Sequence, residues 1–143
     1  MKRYRAQSPR DLARPREGST AVEFAICALA LLLFVFGMIE MGRMLWTWQT
    51  LQAVAVETAR CVAVGSSLCT NGQTYAVSLA GGRGIGGLTA SNVTVNNSAS
   101  CAGQSNFTQV SITFTYHTVM PAYIPTPSGG LKASGCFPNI PSS

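Results

Sequence analysis

Three patterns of hydrophobic and polar positions follow one another along the chain. The first is an unbroken apolar run, Phe24–Ile39, headed by Glu23 and closed by Glu40. Its leucine, alanine and phenylalanine residues favour helix. At about 1.5 Å per residue, a helix over residues 21–42 extends roughly 30 Å, the thickness of a bilayer core. The second pattern is a stripe. Leu51, Val54, Ala55, Thr58 and Val62 recur at helical spacing, with Glu57 and Arg60 on another side. Neither Pro nor Gly interrupts the chain between Arg43 and Val64, and Gly65 is placed as a C-cap. One helix over about 19–65, on the order of 65 Å long, is therefore predicted. The third pattern is alternation. In residues 109–119, Val110, Ile112, Phe114 and Tyr116 alternate with Ser111, Thr113, Thr115 and His117; Asn92–Val95 is a shorter alternating piece. These strands predict a two- or three-stranded antiparallel sheet laid on the amphipathic half of the helix.

Between the patterns lie shorter signals. Residues 66–72 read as a loop, and Gln73–Ala80 as a short helix capped by Thr70 or Asn71. Gly82, Gly84 and Gly87 have the spacing of a dinucleotide fingerprint. No hydrophobic strand precedes them, no helix opens after them and no acid follows, so they read as a glycine-rich turn. The tail, with Pro121, Pro125, Pro127, Gly129 and Gly130 and then Ser134–Pro138, is loop with room for one more short strand. The expected fold is α+β: a long N-terminal helix, membrane-spanning in its first half (about 21–42), packed on a small extracytoplasmic domain at 66–143. Residues 1–18 form a separate basic leader.

Charge sharpens this division. The net charge is +5, but Lys2, Arg3, Arg5, Arg10, Arg14 and Arg16 all precede Gly18, and beyond Cys61 only Arg83 and Lys132 are charged. A nucleic-acid binder spreads its basic residues over a folded face. Here they form an arm beside an apolar helix, which places the N-terminus in the cytoplasm under the positive-inside rule. Glu40 and Arg43, three apart, are spaced to pair at the far surface, and Trp46 and Trp48 sit where an interfacial aromatic belt is expected.

Candidate chemistry is sparse. Glu57 is the sole acid after Glu40, and His117 is the single histidine. No Ser-His-Asp set, paired carboxylates or metal-ligand cluster can be assembled, so neither an enzyme nor a cofactor or metal site is expected. Asn92, Asn96 and Asn106 head glycosylation-type triplets of a kind common by chance in such a chain. Cys27 lies in the apolar run. Cys61, Cys69, Cys101 and Cys136 lie beyond it, an even number suited to two disulfides outside the cytoplasm. Three connectivities are open; the assignment made here is Cys61–Cys69 and Cys101–Cys136.

Glu23 asks for a reason. Thr20, three residues before it, suggests a capping box, and a carboxylate in the first turn suits the helix dipole. Beyond this, Gly18 followed by Ser-Thr-Ala-Val-Glu-Phe, and an apolar run ending Gly-Met-Ile-Glu-Met-Gly-Arg, resembles the TadE/TadF group of pseudopilins of the tight-adherence (Flp-type IVb) pilus machinery. The resemblance covers about residues 16–65, including Glu57–Arg60; the C-terminal part matches only in style. It implies a pilin-like fold and cleavage after Gly18 by a membrane-embedded prepilin peptidase. Ser19 becomes the new N-terminus, Glu23 the fifth mature residue and assembly carboxylate, and Phe24 its aromatic neighbour. Other pilin or pseudopilin subunits and an inner-membrane assembly platform are the implied partners. The implied location is the bacterial inner membrane, single-pass, with the C-terminal domain periplasmic or extracellular. The chain exceeds a major Flp pilin in length, which implies a minor subunit. The competing expectation is an uncleaved, single-pass scaffold or binding protein. Conventional signal-peptide removal fits less well, because Ala53-Val54-Ala55 lies well past the apolar run.

Overall fold

The computed structural model describes residues 17–119, 121 and 129–140. Residues 1–16 of the leader expected at 1–18 lie outside them, and Glu17 and Gly18 belong to the first helix. The chain forms a helix α1 (Glu17–Ala63), a second helix α2 (Gly72–Gly82) and strands β1 (Val93–Cys101), β2 (Gln104–Phe114) and β3 (Leu131–Pro138), with short 3-10 turns at Ser67–Cys69 and Ala90–Asn92. This is the α+β class that the patterns predict. The helix begins at Glu17, so Thr20 lies within its first turn and is not its cap. Two compact units divide at Met38 and Ile39, and each is described by itself.

In the first unit, described from Glu17 to Met38, no described side chain is buried. Val22, Phe24, Ile26, Leu29, Leu31 and Phe34 are each more than half exposed. The apolar surface runs all round the helix. This stretch is long and apolar enough to cross a membrane.

The second unit, from Ile39, has its own core. Leu51, Val54, Ala55 and Ala59 of α1 are buried with Ala76 and Ala80 of α2, Val93, Val110, Ile112 and Ala133 of the sheet, and Ile85 and Leu88 of the connection. Leu51, Val54, Ala55 and Thr58 of the predicted stripe thus form the buried face, and Val62, its last member, is half-buried. Helix α1 ends in a Schellman motif: Gly65 takes φ +68°, the Ser66 N–H bonds the Cys61 carbonyl (3.3 Å) and the Gly65 N–H bonds the Val62 carbonyl (3.0 Å). Only a residue free of a Cβ adopts this left-handed cap without strain. Helix α2 starts where Asn71 Oδ1 accepts from the Thr74 N–H at 3.2 Å, as an Asx N-cap does.

The sheet is antiparallel in the order β1-β2-β3. It extends further than the alternation suggests. Strand β1 continues through Asn96–Ser100 with two register shifts, and β2 starts at Gln104. Cys101, placed by the sequence reading in the connection, is the last residue of β1 and pairs with Gln104 across a two-residue turn, Ala102 (φ +53°) and Gly103 (φ +81°). The polar residues of β1 have little strand propensity of their own; pairing with β2 carries them. Conversely β2 stops at Phe114, so Thr115–Thr118 lie beyond the sheet. Strand β3 alternates cleanly, with Leu131, Ala133 and Gly135 buried. Gly135 is required by contact: a Cβ there would come within 2.5 Å of Val56 N and 2.6 Å of Val56 Cα. The strand therefore lies directly on the helix backbone. Disulfides join Cys61 to Cys69 (Cα–Cα 6.1 Å) and Cys101 to Cys136 (Cα–Cα 6.5 Å).

Candidate assembly segment and the Glu40 clamp

The predicted processing and assembly residues lie together at the start of α1. Gly18 is exposed, Glu23 is exposed and Phe24 is 75% exposed. Ser19 is helical. Glu23 forms no ion pair or hydrogen bond with any other described residue. Two turns of ordinary helix therefore present one carboxylate beside one aromatic ring. Cys27, on the same helix, is exposed and outside both disulfides.

The second acid behaves in the opposite way. Glu40 is only 5% exposed. Its Oε1 accepts from the Tyr116 hydroxyl at 3.3 Å and from the Val119 N–H at 3.2 Å, and the Thr118 side chain also bonds the carboxylate. Arg43 Nη1 stands 3.5 Å from Oε2. The expected Glu40–Arg43 pair is present, but the acid is a buried hub rather than a surface group. A buried carboxylate is stable only when its lone pairs are met, and Tyr116–Val119 meet them. Burial and the neighbouring Glu40 charge push the Tyr116 phenol above its ordinary range. The alternation of residues 109–119 places Tyr116 on the inward face of a strand and gives no link to Glu40. A buried acid has a signal only in needing partners, and partners some 76 residues away in sequence are not legible from spacing.

A further set of bonds seals the exposed edge of β3. The Gln52 amide donates to the Ser134 carbonyl (2.6 Å) and accepts from the Ser134 N–H (3.2 Å); the Trp48 indole donates to the Lys132 carbonyl at 3.1 Å. Helix side chains thus take the place of a neighbouring strand, which blunts an edge otherwise open to pairing. Trp48, expected in an interfacial belt, is engaged here, whereas Trp46 is 69% exposed. On the polar side of α1, Arg83 Nη2 bonds Glu57 Oε2. His117 is exposed beyond the end of β2. Among the described residues, no group of three or more His, Cys, Asp or Glu could hold a metal ion.

These features divide α1 into an end whose side chains lack partners among the described residues and an end committed to a small disulfide-bearing domain. Comparison with curated proteins and with solved structures returns no match. A family model described as TadE-like protein does match, over residues 18–60. The match opens on Gly18 and runs through the amphipathic half of α1, so that this N-terminal part of the chain is similar to the TadE-like family of Tad pilus proteins.

Proposed function

We propose that the protein is a minor, pilin-like structural subunit of a Tad/Flp-type pilus, stored in the bacterial inner membrane and cut after Gly18 by a prepilin peptidase. The TadE-like match indicates a Tad pilus-associated protein of a structural rather than enzymatic family. The observation that carries the finer reading is the start of that match at Gly18, five residues before an exposed acid on an unpartnered apolar helix. After the cut, Ser19 would carry an ammonium and Glu23 would be the fifth residue. Within a bundle of such helices, an ammonium and a carboxylate from neighbouring subunits attract strongly in the low dielectric and favour one axial stagger. The basic leader keeps the N-terminus cytoplasmic, and the cysteine domain lies on the oxidising side. Partners on this reading are other pilin or pseudopilin subunits, the prepilin peptidase and the inner-membrane assembly platform. The outcome is surface attachment or secretion-related assembly.

Intact mass and N-terminal sequence of the protein from its native membrane test the cut. A chain beginning at Ser19 is expected; a chain beginning at Met1 would leave an uncleaved single-pass scaffold. Glu23→Ala is then expected to be processed normally and to lose piliation, and wild-type piliation in that variant would remove the assembly role.

A further inference from the structure

We propose that Tyr116–Val119 form a strap seated in the headgroup layer of the bilayer, so that the C-terminal domain touches lipid through a second segment besides its helix. The inference rests on the membrane-spanning reading of α1. Glu40 directly follows the uncharged run Phe24–Ile39 in one continuous helix. It therefore stands where a span of about 20 residues leaves the hydrocarbon. A bare carboxylate at that depth is costly. This one is not bare: it is 5% exposed, and the strap supplies a phenol, a backbone N–H and the Thr118 side chain.

Those bonds also fix the depth of the strap. The Val119 N–H lies 3.2 Å from Glu40 Oε1, so Val119 shares the level of Glu40 whatever the tilt of the helix. Its side chain is 75% exposed. At neighbouring positions Ile39 is 54% exposed and Met41 46%, with Trp46 one to two turns further along. Exposed aliphatic groups bordered by Trp, Tyr and an Arg have the composition of a membrane boundary; Arg43, with its side chain 62% exposed, is placed to reach phosphate. The occupant is lipid rather than another protein because Ile39 ends the uncharged run and Glu40 and Met41 directly follow it in sequence, where a span of that length leaves the bilayer. The strap serves the carboxylate in place of water, and the bilayer covers the strap.

The test uses the full chain in phosphatidylcholine–phosphatidylglycerol vesicles, with Cys27→Ser as background and both disulfides intact. An environment-sensitive fluorophore is attached, in separate samples, to Val119→Cys, Leu68→Cys and Leu29→Cys, all exposed positions. Lipids spin-labelled at a shallow or a deep position serve as quenchers. The expected result is blue-shifted emission at 119 lost to the shallow quencher, water-like unquenched emission at 68, and loss to the deep quencher at 29. Emission at 119 as water-like as at 68, with 29 still quenched, would overturn the strap and leave the span standing. Blue-shifted but unquenched emission at 119 would also overturn it, because protein would then be the cover. An unquenched probe at 29 would overturn the span itself, and the strap with it.

Discussion

Up to Met38, α1 turns apolar side chains outward on every side; from Glu40 onward the same helix turns a position inward every three or four residues, half-buried at Met44 and Thr47 and buried from Thr50 to Ala59. Both halves are rich in Leu, Val and Ala, so hydrophobicity alone does not separate them. Periodicity does. The stripe Leu51, Val54, Ala55, Thr58 leaves a polar side with Glu57 and Arg60, and the chain supplies α2 and the sheet to cover the apolar side. The run Phe24–Ile39 has no polar side, and none of the described residues buries it. Its partner must come from outside, as lipid before assembly and as neighbouring helices afterwards on the function proposed here. The two acids follow the same division. Glu40 finds its donors within the chain, and Glu23 finds none among the described residues.

The largest expected effect breaks the comparison with one kind of substitution at two places. Leu51→Ala removes a side chain with no exposed surface and should cost about 3.5 kcal/mol of domain stability. Leu33→Ala, at 47% exposure, should cost the domain nothing measurable. Denaturation of each variant in mild detergent, followed by tryptophan fluorescence, compares them. Equal losses would mean that the first half carries core contacts after all.

The converse substitution comes next. Leu33→Arg places a charge in the middle of the apolar run and should lower insertion into a membrane by about 3 kcal/mol, with the domain's denaturation midpoint in detergent unchanged. Insertion is read by the fraction of chain resisting alkaline extraction from membranes. Full insertion together with a destabilised domain would reverse the assignment of the two halves.

A smaller effect belongs to the sheet edge. Gln52→Ala removes both amide bonds to Ser134, and because the position is partly exposed, water recovers part of the loss. About 1.5 kcal/mol is expected, with faster amide exchange at Ser134. Gln52→Glu separates the two bonds, since a carboxylate still accepts from the Ser134 N–H but has no proton for the Ser134 carbonyl.

Legibility followed the range of the interactions. The helix, its amphipathic stripe, the Gly65 cap, α2 and the alternation of Val110–Phe114 are local features, and each could be read from spacing. The two cysteine pairs assigned from the sequence are the two present, although spacing could not choose among three connectivities. What spacing missed is non-local. Strand β1 through Ser100 exists because β2 pairs with it, Gly135 is needed because helix backbone lies against it, and the Glu40 clamp joins positions remote in sequence. The expected capping box at Thr20 was lost because Glu17 and Gly18 are already helical, which moves the helix start upstream of the motif. In the candidate assembly segment, Glu23 and Phe24 are exposed on the helix; on the function proposed here their partners belong to other molecules, which no single chain displays.

The smallest effect sharpens the comparison at the outer face of the second half. Glu57 and Arg83 form an ion pair with side chains 44% and 35% exposed. Their attraction is felt through water and opposed by the ordering of two long side chains. Glu57→Gln should therefore cost about 0.5 kcal/mol or less, and the cost should fade as salt is raised. A loss several times larger, insensitive to salt, would mean that the pair organises the connection after α2 rather than decorating it. Glu40→Gln offers the contrast. It leaves four groups arranged around a lost charge, and its effect should persist in high salt because the site is buried. Measured side by side across a salt series, the two variants distinguish an acid that the chain has enclosed from one that it leaves to the solvent.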